Sequence, residues 1–379
     1  MCQGPPLRIT AVETIHTRYA LSRPTGPAGA FNAARQSLVI KVTTDEGLIG
    51  WGETYALAGV RAAIDQVLAP LLIGGDPLDR ARLWHRAWAA TFGNGFAVGG
   101  IDIALHDLCG KALGVPVHRL YGGAQRSEVP VYASGLCYFP DVDPATYWED
   151  EACSLLERGF VHGIKMRIGR HAPDYEMPLV ARVREALPSS VKLMVDAWGS
   201  YTPPTALRVG RALHELGLYW YEEPLPQAGY AGYAELASAL DIAVAGGEML
   251  QSRDTFKSLI DAHAVDIAQP DICICGGISE TLFVAELARL SGIQCAPHSW
   301  NGQIMNAATL HVAALLPEPT RVTGNDVPML EFDTTENPCM TEELAEPMCL
   351  RDGCFATPMA PGLGIEVDEE RIRSAAVDE

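Results

Sequence analysis

Three acidic residues stand at equal intervals in the middle of the chain. Asp196, Glu222 and Glu248 are separated by 26 residues each, and each follows a short apolar run typical of a buried strand. One strand, a returning helix and two loops take about 25–30 residues in a βα-repeat barrel. We therefore expect the three carboxylates at the ends of consecutive strands, facing a common opening. Their mutual repulsion requires a cation, and Mg²⁺ suits a small site with oxygen ligands.

An acid and a histidine follow two further apolar runs. Asp271 ends the sixth predicted barrel strand and His298 ends the seventh, so the two side chains should be neighbours in a parallel barrel. A carboxylate on one imidazole nitrogen fixes the tautomer and raises the basicity of the ring. The other nitrogen is then free for proton transfer, which predicts a general acid/base at this position.

Two cations lie on the second predicted strand. Lys165 and Arg167 are two residues apart and therefore face the same way, which is inward at the end of a barrel strand. They could bind a substrate carboxylate, act as a base, pair with the acids or form surface salt bridges. Glu331 stands at the end of the eighth predicted strand.

Each of these residues also has a purely structural interpretation. One acid after a strand is commonly a solvated loop residue or a helix N-cap, and one buried histidine is usually a satisfied core residue. The equal spacing of the three acids, and the expected position of His298 beside Asp271, favour a functional site.

Alternating strands and helices from about residue 129 predict the elements that position these side chains. The expected barrel strands are 129–135, 160–169, 191–198, 218–224, 242–249, 264–271, 292–300 and 319–333. The chain of 379 residues has room for a barrel of about 250 residues and a smaller domain. The segment after residue 331 is too poor in apolar periodicity for another barrel unit, and we assign it to the N-terminal domain.

The first hundred residues predict a separate α+β unit. A strand-like opening is followed by a β-hairpin around Asp45-Glu46-Gly47 and by three amphipathic helices, the last of which ends at Gly114. Residues 20–35 are rich in Pro, Gly and Ala and show no periodicity. We interpret this segment as a mobile lid rather than a passive linker.

Composition narrows the class of protein further. A net charge of −19 argues against partners with negative surfaces, so we expect neither nucleic acid nor membrane binding. The ten cysteines have no repeated spacing, which favours reduced thiols in a cytoplasmic protein, and Cys273 and Cys275 lack the second pair that a zinc site needs. There is no apolar signal-peptide core and no run long enough to span a membrane.

The chain resembles the enolase superfamily, in its mandelate-racemase-like branch of acid-sugar enzymes. The resemblance extends from the ITAVET strand to PGLGIEV and rests on the order and spacing of seven short strings. They are KMR at 165–167, VDA at 195–197, YEEP at 221–224, GGE at 246–248, QPD at 269–271, PHSW at 297–300 and LEFD at 330–333. It implies an α/β fold: a modified TIM barrel of the (β/α)7β type over residues 127–331, with an α+β capping domain formed by 1–126 and completed by 332–379.

The resemblance also implies roles for the site residues. Asp196, Glu222 and Glu248 would ligate one Mg²⁺, which binds the carboxylate of a small-molecule sugar acid. Sites of this superfamily use a Lys or His base with Mg²⁺ stabilising an enediolate, and that mechanism is carried over here. His298, backed by Asp271, would be the acid/base on one face, with Lys165 and Arg167 on the other. Glu331 would donate a hydrogen bond to the enediolate, and the assembly would be a homo-oligomer, a dimer or an octamer.

Two residues depart from the family pattern. Racemising members usually carry Lys-x-Lys where this chain has Arg167, and a guanidinium stays protonated at any working pH. This favours a one-sided reaction over racemisation, with His298 as base, as leaving-group acid or as both, or with Lys165 as the base. Trp198 stands where relatives often carry Asn, and its indole would reshape the pocket.

Four functions remain open from the sequence. The leading prediction is a Mg²⁺-dependent acid-sugar dehydratase that converts an aldonate or aldarate to a 2-keto-3-deoxy acid. The C-terminal third is most similar to galactarate-lactone cycloisomerases, in which a lactone carboxylate is the leaving group. The other two are a racemase or epimerase of a 2-hydroxy acid and a non-catalytic barrel that binds metal or sugar acid. Specificity is expected to depend on residues 20–35 and on Asn94, Trp198 and Trp300.

Overall fold

Two separate β-sheets form the framework of the molecule: three antiparallel strands near the N-terminus and a large sheet of parallel barrel strands. The structure is a computed structural model that describes residues 7–227, 229–318 and 327–377.

The N-terminal sheet is a meander of three strands. Their bounds are β1 (Ile9–Thr25), β2 (Asn32–Thr44) and β3 (Ile49–Thr54). The hairpin predicted around Asp45-Glu46-Gly47 joins β2 to β3, and Gly47 has the positive φ of 78° that this turn requires.

Helices pack on one face of this sheet. They are α1 (Ala58–Ala63), which continues through a π-helical turn (Ile64–Leu68) into α2 (Ala69–Leu72), then α3 (Arg80–Ala90) and α4 (Gly95–Leu113). Helix α4 is buried along most of its length and ends at Gly114 in the left-handed conformation. It lies directly on β3, because a Cβ atom at Gly52 would come within 2.1 Å of the Gly100 carbonyl oxygen.

The prediction that residues 20–35 are an irregular segment was wrong, whereas their role as a lid stays a prediction. Strand β1 continues to Thr25 and β2 begins at Asn32, so only residues 26–31 lie outside the strands. The two arms pair with each other through an irregular register, which tolerates the proline and glycine that obscured the strand pattern. The tip is bound to the barrel, since Gly26 and Tyr138 exchange backbone hydrogen bonds of 3.2 and 3.0 Å.

The second sheet is the predicted (β/α)7β barrel. Its strands are β4 (Glu128–Ser134), β5 (Gly163–Arg167), β6 (Lys192–Asp196), β7 (Trp220–Glu222), β8 (Ala243–Gly246), β9 (Ile267–Ala268), β10 (Gln294–Cys295) and β11 (Leu330–Asp333). Neighbours are parallel in the order β10-β9-β8-β7-β6-β5-β4-β11. Residues 319–326 of the predicted eighth strand lie outside the described residues.

Seven helices return the chain between these strands. They are α5 (Trp148–Glu157), α6 (Pro173–Ala186), α7 (Pro203–Glu215), α8 (Tyr230–Ala239), α9 (Arg253–Asp261), α10 (Ile278–Leu290) and α11 (Gln303–Leu315). Within the described residues, no helix is both long and apolar enough to cross a membrane.

Large apolar side chains fill the barrel beneath the strand ends. Tyr132, Met194 and Trp220 are buried and pack in one cluster. Met194 and Trp220 precede Asp196 and Glu222 by two residues, so they share their face of the sheet. The acids therefore stand directly above an apolar cluster inside the barrel.

The C-terminal segment contacts both sheets. Its elements are α12 (Cys339–Glu342), β12 (Cys354–Ala356) and α13 (Glu369–Ser374). Strand β12 pairs with β4 of the barrel, whereas Ala375 and Val377 bond to the backbone of β1. The assignment of residues 332–379 to the N-terminal domain stays a prediction. The nine cysteines that the structure describes form no disulfide.

Two buried carboxyl groups meet at the first turn of α11, directly after the loop that carries His298. Glu53 accepts from the Met305 amide at 2.7 Å, and Glu343 accepts from the Gln303 amide at 2.8 Å. The absence of a side chain at Gly302 makes room for them, because a Cβ there would lie 2.4 Å from Glu343 Oε2. Burial raises the pKa of Glu53 to about 7 and the pKa of Glu343 well above its ordinary value.

This pair should make stability depend on pH. Because the folded-state pKa of Glu53 is raised, the native protein binds more protons than the unfolded chain between about pH 4.5 and about pH 7. The free energy of unfolding should therefore fall as pH rises through that window. We expect Glu53→Gln to remove the part of this fall that Glu53 contributes, so that the difference in unfolding free energy between variant and parent changes by on the order of 1–3 kcal/mol between pH 5 and 8.

Denaturant unfolding of both proteins across this range measures the effect. Glu46→Gln in the exposed hairpin turn serves as the control. Parallel curves for the parent protein and Glu53→Gln would contradict the assignment.

Candidate active site

The three evenly spaced acids converge at one end of the barrel. Asp196 ends β6, Glu222 ends β7, and Glu248 lies two residues beyond β8. Each is buried, and each offers a carboxylate oxygen within 4.8 Å of the corresponding oxygens of the other two. The barrel produces this arrangement because carboxyl ends of parallel strands lie side by side.

Glu222 is fixed by three donors from the barrel interior. Lys165 Nζ lies 2.5 Å from Glu222 Oε1, while Trp220 Nε1 and Gln269 Nε2 donate to Oε2 at 2.9 and 2.8 Å. Its position is therefore set by side chains of β5 and β7 and of the segment after β9. This rigid support favours preorganised binding of a cation.

Asp196 is held by Arg167 and by the chain that follows it. Arg167 forms an ion pair with Asp196 Oδ2, and its guanidinium stacks 4.5 Å from the ring centroid of Trp300. The Trp198 amide donates to Asp196 Oδ1 at 2.7 Å, and Trp198 adopts a positive φ of 47°. A non-glycine residue in this region is strained, which is common next to functional groups.

Glu248 has the least compensated charge of the three. Its pKa is raised by burial, an effect that His298 opposes and the charge of Glu222 reinforces. Its Oε2 accepts no hydrogen bond, although His298 Nε2 lies 3.4 Å away. Three converging carboxylates, one with an unpartnered buried oxygen, fit the donor set of a hard divalent cation such as Mg²⁺.

His298 and Asp271 form the predicted pair. His298 Nδ1 lies 2.8 Å from Asp271 Oδ2, which also accepts from the Tyr55 hydroxyl at 2.8 Å. The Cys273 amide donates to Asp271 Oδ1 at 2.7 Å. Burial lowers the pKa of His298, but Glu248, Glu331 and Asp271 outweigh it and raise that pKa to about 9. Neutralising Glu248 would lower this pKa and free Nε2 to accept a proton.

Lys165 is buried between two carboxylates. Besides Glu222 it pairs with Glu331 Oε1 at 2.7 Å, and the Ser299 amide donates to Glu331 Oε2 at 3.2 Å. Burial opposes ionisation of Glu331, but Lys165, His298 and Arg167 lower its pKa to about 2. Glu331 is thus an ionised acceptor here and must gain a proton before it can donate the hydrogen bond expected from the sequence.

A cavity of about 260 Å³ opens above these groups. Arg167, Glu248 and His298 reach its surface, whereas Lys165 does not. Trp198 and Trp300, predicted to shape the pocket, line it as well, but Asn94 does not; its side chain caps α4. Of the segment 20–35, Pro27, Ala30 and Asn32 contribute.

Several supporting residues escaped the sequence analysis. Tyr55 comes from the loop after β3 and reaches Asp271 across the interface between the two sheets. Gln269 and Trp220 hold Glu222 from below. Gln269 belongs to the QPD string and Trp220 precedes Glu222 by two residues, so strand periodicity could have indicated both. No local pattern predicts the contact of Tyr55.

Sequence comparison places both parts of the chain in one family. Residues 10–122 match the mandelate racemase / muconate lactonizing enzyme N-terminal domain, and residues 148–371 match the enolase C-terminal domain-like family. The chain belongs to the mandelate racemase / muconate lactonizing enzyme family of the enolase superfamily. The resemblance predicted from the seven strings is therefore confirmed, and so is the fold class.

Two curated members of this family match nearly end to end. The chain is 36% identical over 376 residues to D-galactarolactone cycloisomerase of Agrobacterium fabrum, covering 97% of this chain and 98% of the relative. It is 33% identical over 337 residues to arabinonate dehydratase of Saccharolobus solfataricus, covering 86% of this chain and 87% of the relative.

Two solved family structures superpose closely. The 3,6-anhydro-D-galactonate cycloisomerase from Zobellia galactanivorans has a TM-score of 0.87 and 30% identity, with 98% of this chain and 100% of that chain covered. A racemase from Streptomyces coelicolor A3(2) with bound magnesium has a TM-score of 0.87 and 28% identity, with 97% and 100% covered.

Removing one acid should abolish tight cation binding. We expect Glu248→Gln to weaken Mg²⁺ affinity by at least about 100-fold, because the amide supplies no charge and leaves only two anionic ligands. Isothermal titration and the Mg²⁺-dependent rise in melting temperature measure this loss. Glu286→Gln, in an exposed ion pair on α10, is the matched control. Unchanged Mg²⁺ affinity in Glu248→Gln would exclude this residue as a ligand.

Proposed function

We propose that this chain is a Mg²⁺-dependent lyase that removes the α-proton of a sugar acid and then eliminates the β-substituent. In the dehydratase reaction, which we favour, the leaving group is a hydroxyl and the product is a 2-keto-3-deoxy acid. The observation that carries the proposal is the placement of His298. Its Nδ1 is held by Asp271, while its Nε2 faces the cavity 3.4 Å from Glu248.

The chemistry requires such a site because the α-proton of a carboxylate is a very weak acid. Its removal places a second negative charge on the carboxylate, and that charge must be stabilised in a preorganised, water-poor pocket. Mg²⁺ held by Asp196, Glu222 and Glu248 would supply electrostatic stabilisation of this charge. Arg167 adds a fixed positive charge on the cavity floor, beside Glu248 and His298.

His298 is the preferred base over Lys165. The Lys165 ammonium is fully buried between Glu222 and Glu331 and does not line the cavity, whereas His298 does. It is suited to balancing the charge of the carboxylates. After His298 Nε2 takes the α-proton, it can return a proton to the departing β-oxygen. The Cβ–O bond then breaks, water leaves, and the enol product tautomerises to the keto acid.

A cycloisomerase is the second candidate, supported by the 36% identity to a galactarolactone cycloisomerase over 97% of the chain. In this reaction the β-leaving group is the ring carboxylate of a lactone. It departs with the electrons of the C–O bond and needs no proton, so the same base suffices. Racemisation is disfavoured, because Arg167 occupies the position of the second base and stays protonated.

Incubation with Mg²⁺ in D₂O tests the proposal. A panel of aldonates, aldarates and their lactones should show α-deuterium incorporation or keto-acid formation, detected by NMR. Open-chain acids as substrates would indicate the dehydratase, and lactones would indicate the cycloisomerase. A folded, Mg²⁺-binding protein with neither exchange nor turnover across the panel would refute the proposal and favour a binding-only barrel.

A further inference from the structure

The cavity above the strand ends has a charged floor and an apolar wall. Among the described residues that line it, Arg167, Glu248 and His298 are the charged or titrating floor groups. The wall away from the floor consists chiefly of Leu57, Phe96, Trp198, Met249, Ile274 and Trp300. A substrate that places its reacting carboxylate on the floor must therefore turn its other end toward apolar side chains.

The polar groups near the wall offer little to a second anion. Of the described lining residues, Asn32, Tyr55 and the indole N–H groups of Trp198 and Trp300 are the uncharged polar groups; none is a cation, and the Tyr55 hydroxyl is committed to Asp271. Two nearby arginines are engaged elsewhere and do not line the cavity. Arg35 pairs with Asp333 at 3.0 Å, and Arg170 stacks 4.5 Å from the ring centroid of Phe31.

The two tryptophans suit an uncharged ring or chain. The Trp198 indole is 45% exposed, and its backbone is fixed by the bond from its amide to Asp196. The Trp300 ring is fixed by stacking with Arg167 and with Arg35, whose guanidinium lies 5.0 Å from the ring centroid. Indole faces contact the C–H faces of compact neutral groups favourably, whereas a carboxylate placed against them loses hydration without gaining a cationic partner.

We infer that the substrate carries a single carboxylate and that its distal end is uncharged, as in an aldonate, a lactone or an anhydro ring. This inference rests on the proposed function and narrows it. Open-chain diacids are rejected because their second carboxylate finds no described cation on the wall.

Matched substrate pairs test the inference. D-galactonate and D-galactarate share one carbon skeleton and a β-hydroxyl leaving group but differ by one carboxylate at the distal carbon, as do D-gluconate and D-glucarate. We expect kcat/KM for the singly charged member to exceed that for the diacid by at least about 100-fold, comparable to the penalty for leaving a polar group unpaired in an apolar pocket.

A cation placed on the wall should reduce this preference. Leu57 is 50% exposed and lines the cavity, so Leu57→Arg brings a guanidinium to the distal end. We expect Leu57→Arg to lower the ratio of kcat/KM for the singly charged acid to that for the diacid by about tenfold or more. The reason is that a charge-assisted pair replaces an unpaired carboxylate. Leu78 is 45% exposed but does not line the cavity, so Leu78→Arg is the matched control and should leave the ratio unchanged.

The outcomes distinguish the preference for singly charged substrates from the lyase function itself. Diacids turned over as well as their singly charged partners would overturn the inference and leave the lyase function standing. No exchange and no turnover with any member would remove both. Thermal shifts of the inactive His298→Asn variant with each member provide a second readout, in which stronger stabilisation by diacids would also overturn the inference.

Discussion

His298→Asn should lower kcat/KM by at least about 1,000-fold, because asparagine has a similar size but cannot accept the α-proton. The variant should still fold, since Asp271 retains its bonds from Tyr55 and Cys273. Mg²⁺ affinity should stay within about tenfold of the parent value, because His298 neighbours Glu248 but supplies no cation ligand. Loss of α-deuterium exchange together with loss of turnover would place the defect at proton removal.

Two further variants sharpen this test. Tyr55→Phe removes one bond to Asp271 and should cause a smaller loss of kcat, with little change in Mg²⁺ affinity. His214→Asn changes an exposed histidine at the end of α7 and should have parent activity. If His298→Asn retained α-proton exchange, another base would perform the step, and Lys165 would become the candidate.

Lys165→Met should lower the free energy of unfolding by about 3–5 kcal/mol, the usual cost of removing one partner from a buried ion pair. The ammonium is fully buried and neutralises Glu222 at 2.5 Å and Glu331 at 2.7 Å. Methionine fills much of the volume but leaves both carboxylates without this cation. Denaturant unfolding in EDTA measures the effect, and added Mg²⁺ should reduce it by compensating Glu222.

The double variant Lys165→Met/Glu331→Gln distinguishes charge from packing. Removing the charge of Glu331 should restore part of the unfolding free energy that Lys165→Met loses. Lys165 and Glu331 are in direct contact, so the effects of the two substitutions are coupled. Lys257→Met breaks an exposed pair with Asp261 on α9 and should cost less than about 1 kcal/mol. A loss equally small for Lys165→Met would contradict the role of this ammonium in charge balance.

The sequence predicted the site well where it depends on strand periodicity. Asp196, Glu222 and Glu248 could be brought together without coordinates, because equal spacing in a βα-repeat fixes adjacent strand ends. The same argument placed Asp271 beside His298. The regular barrel converts spacing along the chain into proximity in space, so few other assumptions were needed.

Features that depend on contacts between distant, irregular segments could not be predicted. Tyr55 reaches Asp271 from a loop, and Glu53 meets Glu343 across 290 positions of sequence, without any local pattern for either contact. The composition of residues 20–35 shows no periodicity and predicts an irregular lid, but pairing between the two arms of the hairpin makes most of this segment strand. The charge state of Glu331 depends on Lys165, which only the three-dimensional packing brings near.

The loop after β3 has a consequence for chimeric proteins in which the N-terminal unit is exchanged. Tyr55 donates to Asp271, which holds His298, the proposed base, and Leu57, two residues later, forms part of the cavity wall. If the N-terminal unit were replaced by that of a relative, the cavity wall at Leu57 and the hydrogen bond from Tyr55 to Asp271 would therefore be replaced together. We expect transplanting this segment alone to change the cavity surface and the support of Asp271 at the same time.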